Sequence, residues 1–147
     1  MGNPRAFGPP ALLLFFTWGL FLVGCGGDAN EGLGELPPTL DAIQQHVFTP
    51  GCATSACHDR VTRGGDLDLS NAQVSYDQMV NVGSKNPVAK ANGWLIVKPE
   101  DPARSFLVRK LVGPGVGEGE AMPSVSQELD PYYQKLIETW IQEGARR

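Results

Sequence analysis

Residues 52–58 read Cys52-Ala53-Thr54-Ser55-Ala56-Cys57-His58, two cysteines and a histidine within seven positions. Two thiols beside an imidazole suit covalent attachment of a haem: each sulfur adds to a vinyl group of the porphyrin, and the adjacent ring lies under the iron. The usual attachment spacing has two residues between the cysteines and this chain has four, so the cysteines do not sit one helical turn apart and part of the segment must bulge. Taken alone, the cluster admits two other readings. A disulfide would close a loop so short that it constrains the unfolded chain little. A metal site with His58 and His46 lacks the second cysteine pair that a four-ligand zinc centre usually draws on. The rest of the chain decides between them.

Upstream, Arg5 precedes an apolar run from Ala11 to Val23 that only Thr17 and Gly19 interrupt. The run is too short for a stable bilayer span, and its flanks fit a signal peptide. It ends in Leu22-Val23-Gly24-Cys25. Small residues ahead of a cysteine at that place resemble the lipobox of bacterial lipoproteins, in which the cysteine is acylated and becomes the new N-terminus; an ordinary cleaved signal with an incidental cysteine is the alternative. The expected organisation is a lipoprotein signal peptide over 1–24, a flexible Gly-, Glu- and Pro-containing spacer over 25–38, and one folded domain over 39–147. Cys25 is then the lipidation site and the link to membrane lipid, and the protein is exported, on the periplasmic or outer-membrane side. Lipidation also accounts for the odd cysteine among the three in the chain.

Cleavage before Cys25 leaves 123 residues, with 11 basic against 16 acidic side chains and a formal net charge of −5. No basic run or basic-aromatic patch is present, which argues against nucleic acid as a partner. A negative surface steers a basic redox partner, a generic property. No nucleophile–base arrangement, paired-carboxylate pattern or phosphate loop stands out.

Periodicity points to helices joined by irregular segments. Leu40, Ile43, Val47 and Phe48 share one helical face, with Thr39 as N-cap and Thr49-Pro50-Gly51 as the expected end. Arg63-Gly64-Gly65 turns into an extended Asp66–Ser70, and Ser70 is placed to cap a helix through Tyr76, Met79 and Val80. Residues 81–92 read as loop. Trp94 to Val97 is a short apolar run. Asp101-Pro102 opens a helix that buries Phe106, Leu107 and Leu111. A glycine-rich stretch, 113–120, leads to Ala121-Met122-Pro123. In the last helix Asp130 caps, Pro131 opens, Tyr133, Leu136, Ile137, Trp140 and Ile141 form a stripe, and Gly144 stops it.

With 18 glycines and 12 prolines, such a domain has difficulty burying enough apolar surface with side chains alone. A large flat cofactor would supply the missing core. Met79, at helical spacing, reads as core. Met122 lies in a glycine-rich loop before a proline, where packing gives little reason for a methionine and a soft thioether suits iron. His46 reads as exposed, and Arg104, Arg109 and Lys110 as a solvated helix face.

The ordered set of a first helix, the Cys-Cys-His cluster, Gly64-Gly65 with Leu67, Leu69 and Ser70, a Pro99-Glu100-Asp101-Pro102 helix start, Met122-Pro123 and a final Trp140-Ile141 helix ending in Gly144-Ala145 resembles the class I c-type cytochrome domains of exported bacterial lipoproteins, including the planctomycete-like group. The resemblance covers Thr39 to Ala145. It implies a mostly α, small, loop-rich cytochrome c-like domain: three or more helices around one covalently attached haem c, with the first and last crossing. Cys52 and Cys57 would carry the thioethers, His58 would be the proximal iron ligand and Met122 the distal one. Two departures stand out: the four-residue spacer between the cysteines, and Glu100 where related sequences often have glycine. The implied activity is one-electron transfer by a lipid-anchored monohaem carrier rather than enzymatic turnover. An exported non-redox binding or scaffold lipoprotein with a Cys52–Cys57 disulfide, and a haem sensor or enzyme with Met122 off the iron, are the other readings.

Overall fold

The structure is a computed structural model that describes residues 1–2, 35–124 and 128–147. The chain divides into two compact units, Met1–Gly34 and Glu35–Arg147. The expected signal peptide and Cys25 belong to the first; all of the signal peptide but residues 1–2, Cys25, and the spacer up to residue 34 lie outside the described residues. In the second unit helices and turns carry the fold. Among the described residues strand pairing is confined to isolated bridges, Val80 with Val97, Gly83 with Leu95, and Leu95 with Ser105.

Thr39 caps the first helix as expected, its hydroxyl accepting from the Ala42 N–H at 3.3 Å. Helix α1, Leu40–Ile43, then runs directly into a π-helical turn, Gln44–Cys52, instead of ending at Thr49. Pro50 explains the change of pitch. In α geometry its ring would meet the carbonyl four residues back, and its nitrogen has no proton to give. A wider turn accommodates it, with the Ala53 N–H reaching the Phe48 carbonyl at 2.7 Å. The widened turn ends on Cys52. Leu40, Ile43, Val47 and Phe48 are buried, and His46 is exposed.

The last helix, α5, forms where its pattern placed it, Pro131–Gln142, with Asp130 accepting from the Tyr132 N–H at 2.8 Å. Its stripe of Leu136, Ile137, Trp140 and Ile141 is buried and packs on α1. The Trp140 indole donates to the Arg146 carbonyl at 2.7 Å, and Gly144, at φ 99°, lets the chain fold back for that contact. Leu36 donates to the Tyr132 hydroxyl at 2.6 Å, so the compact unit takes in the end of the expected spacer.

Three intermediate elements depart from expectation. Helix α2, Ala72–Met79, is capped by Asn71 and not by Ser70: the Asn71 side chain accepts from the Val74 N–H at 3.1 Å, while the Ser70 N–H is held by the Asp68 carboxylate at 2.9 Å. Residues read as loop contain a short helix, α3, Pro87–Ala91. The Asn86 side chain accepts from both Val88 and Ala89 at 3.0 Å, and five residues are too few for hydrophobic periodicity to register. The Asp101-Pro102 start yields only a 3₁₀ turn, Pro102–Arg104, before α4, Phe106–Val112. The buried Ser105 hydroxyl, bound to the backbone of Lys98 and Asp101, interrupts the helix between them. Glu100 has φ 64°, a left-handed conformation that glycine adopts without the steric cost a side chain brings.

Trp140 is the largest fully buried side chain and joins α5 to the chain end. Trp140→Ala is expected to lower stability by about 3–5 kcal/mol, whereas Val116→Ala, at a fully exposed position, should change it by less than about 0.5 kcal/mol. Urea titration of both variants measures the difference.

Candidate functional site

The π turn, the segment after His58, α4 and the loop that follows α4 surround a cavity of about 1070 Å³. That is slightly more than the roughly 300–1000 Å³ of typical small-molecule pockets. Its walls are largely apolar, with Val47, Phe48, Leu67, Leu69, Val82, Ile96, Phe106, Leu107 and Leu111 facing in. Arg63, Asp66, Asp77, Lys85, Lys110 and Glu118 contribute the charged part of the lining. Cys52, Cys57, His58 and Met122, the four side chains singled out from sequence, all line this cavity.

The cysteine–histidine segment folds as a closed bulge. The His58 N–H reaches back to the Cys52 carbonyl at 3.0 Å, and the Cys57 N–H to that of Thr54 at 2.9 Å, with Ser55 and Ala56 exposed at the tip. The two additional residues are thus absorbed at the surface. The chain then turns through Asp59, whose carboxylate accepts from the Val61 and Thr62 N–H groups, and returns at Gly64.

Gly64 is the hinge of the site. Its N–H donates to the Cys57 carbonyl at 2.8 Å, and its own carbonyl lies 2.8 Å from His58 Nδ1. An added Cβ would stand 2.9 Å from the Cys57 oxygen and 3.5 Å from His58 Cε1. With Nδ1–H donated to the Gly64 carbonyl, Nε2 is left with its lone pair free, and it has no hydrogen-bond partner among the described residues. The Leu69 N–H holds the His58 carbonyl at 2.8 Å.

Gln44, which sequence reasoning passed over, ties the walls together. Its buried amide donates to the Leu69 carbonyl at 2.8 Å and to Thr49 at 3.0 Å, and accepts from Ser75 at 2.8 Å. The π turn, the 67–69 segment and α2 are therefore linked through one side chain. A glutamine next to an apolar helical face is the only sign of this in the sequence.

Met122 is half-buried on the cavity wall, and Met79 is fully buried in the core, as expected. The expected solvated face on α4 is not found. Arg109 forms a forked ion pair with Glu118, 2.7 Å at its shortest, and its guanidinium lies 4.4 Å over the Trp94 ring. Lys110 donates to the carbonyls of Glu118 and Glu120. The reason is that the loop after α4 folds back over it and supplies oxygens to both residues. Arg104 remains exposed, pairing with Asp101 at 3.4 Å.

Both cavity cysteines are free thiols in the structure, with no bond between them. Burial, and secondarily the neighbouring Cys57, pushes the Cys52 thiol up to about 11. Among the described residues no three His, Cys, Asp or Glu side chains are grouped to hold a bare metal ion. The arrangement is instead that of an apolar slot with one oriented imidazole, one thioether and two thiols on its lining. No protein-family model, curated protein or solved structure matches the chain.

The Cys52 thiol gives the apolar wall a pH signature. In the protein with both thiols free, the folded state keeps this proton up to about pH 11, while the unfolded chain releases it near the ordinary value of 9.0. The folded state binds more protons in that window, so stability falls as pH rises from 9 toward 11. Denaturation of the parent and of Cys52→Ser across pH 8–11 should show a steeper decline in the parent; parallel curves would contradict the burial argument. Separately, Gly64→Ala should cost about 1–3 kcal/mol through displacement of the Cys57 carbonyl, measurable by thermal unfolding.

Proposed function

We propose that the chain is a lipid-anchored, monohaem c-type cytochrome that carries single electrons. In this reading Cys52 and Cys57 bear the thioether links, His58 Nε2 and the Met122 sulfur ligate the iron, and Cys25 carries the membrane anchor. The observation that carries it is the convergence of these four side chains, drawn from two distant segments, on one large apolar-walled cavity.

The residues present fit the group. The Gly64 carbonyl fixes the imidazole tautomer and leaves the second nitrogen to the metal, the arrangement that orients and strengthens histidine ligands generally. The close approach at Gly64 leaves no room for a side chain beside Cys57 and His58. Leu67, Leu69, Ile96 and Leu107 exclude water from the slot and favour the less charged state of whatever it holds. When bound, the haem supplies one-electron cycling between ferric and ferrous iron, and histidine–methionine ligation raises its reduction potential. With His58 and Met122 both holding the iron, no position would be open to a substrate, which favours electron transfer over turnover. The acidic net charge favours a basic redox partner protein.

Haem staining after denaturing electrophoresis is expected to mark the exported protein and to fail for the Cys52→Ala/Cys57→Ala double variant; an unstained parent would overturn the reading. In the ferric parent a weak red-region charge-transfer band should be present and should disappear in Met122→Leu. A band that survives this substitution would remove Met122 from the iron and favour a sensor or enzyme.

A further inference from the structure

The loop that carries Met122 contains Gly113, Gly117 and Gly119, all at positive φ, and such a backbone has many conformations to choose from. A thioether is a weak ligand, so its position must be fixed by something other than the metal. Two adjacent residues in the last turn of α4 do this. Arg109 donates from Nε and Nη2 to both oxygens of Glu118, at 2.7–3.1 Å, and the Gly115 N–H adds a further bond to the same carboxylate at 2.8 Å. Glu118 is 4% exposed and the Arg109 side chain 34%, so the carboxylate end of the pair is shielded from water while the guanidinium keeps an open side. The guanidinium is stacked on Trp94, whose ring packs on Phe106 of the cavity wall at 6.4 Å. Lys110 takes the loop at three points: its ammonium on the Glu118 and Glu120 carbonyls, and its carbonyl on the Met122 N–H at 2.7 Å.

We infer that Arg109 and Glu118 form a positioning pair that anchors the 113–122 loop on α4 and so sets where the Met122 sulfur stands on the cavity wall. Neither is a ligand, and the role rests on the proposed ligation by Met122 for its functional meaning. The ion pair closes the loop onto the helix, Trp94 fixes the plane of the guanidinium, and Lys110 registers the backbone up to Met122. Arg109 serves here because its planar fork meets both carboxylate oxygens at once, which a lysine ammonium does not.

The test compares Glu118→Gln and Arg109→Lys with the parent in two measurements on the whole protein. In the first, amide hydrogen exchange reads the Met122 N–H and, as a control, the core amides of α5. The pair as a local anchor predicts about tenfold or greater loss of protection at Met122 with α5 unchanged. Equal protection at Met122, or an equal loss at α5, would overturn the inference, since the pair would then be dispensable or a general stabiliser. In the second, both variants should retain covalent haem by staining while the red-region band falls to less than about half of the parent's, the remainder reporting the population that keeps the loop in place. An undiminished band in a protein that carries haem would overturn it. Absence of haem from the parent would instead defeat the proposed function, and the exchange experiment would still decide whether the pair anchors the loop.

Discussion

The close approach of Gly64 to the Cys57 carbonyl governs the site. Because glycine presents no Cβ, two strands of backbone meet there at hydrogen-bond distance, and the Gly64 carbonyl is delivered to His58 Nδ1. That single oxygen determines the orientation of the imidazole and which nitrogen faces away from the protein. Cys57 is fixed by the same contact, Cys52 by the bond between its carbonyl and the His58 N–H, and Leu69 by the His58 carbonyl. Four cavity-lining residues thus take their places from one short circuit of hydrogen bonds.

The other side of the cavity is built differently. The loop bearing Met122 lacks regular structure and is held from outside, by side chains of α4 that sequence alone assigns to solvent. The hydrogen bonds from the Arg109 guanidinium hold the Glu118 carboxyl below its usual range, against the opposing effect of desolvation, while burial moves the Lys110 ammonium downward. Opposed environments of this kind arise where a polar loop folds against an apolar wall. One half of the site is therefore fixed by backbone geometry and the other by side-chain electrostatics, and they meet across a space that the protein's own apolar side chains leave open.

Much of this was legible in the residues. The caps Thr39 and Asp130, the stripe on α5, the buried Met79 and the exposed His46 follow from spacing and residue chemistry, while Cys52, Cys57, His58 and Met122, grouped by the family resemblance, line one cavity. What escaped detection had a physical cause in each case. Pro50 reads as a stop, but the helix widens around it and continues to Cys52. Helix α3 is shorter than the repeat that would reveal it. The partners of Arg109 and Gln44 lie on segments that approach only in the folded chain, so no local pattern marks them.

The account depends most on a porphyrin bound through sulfur, and the intact mass of the exported protein under denaturing conditions tests this most directly. The account predicts a polypeptide heavier by one iron porphyrin, the increment persisting after reduction and disappearing when both Cys52 and Cys57 are replaced. A mass equal to that of the processed chain alone, with two alkylatable thiols or a reducible disulfide at these positions, would contradict it.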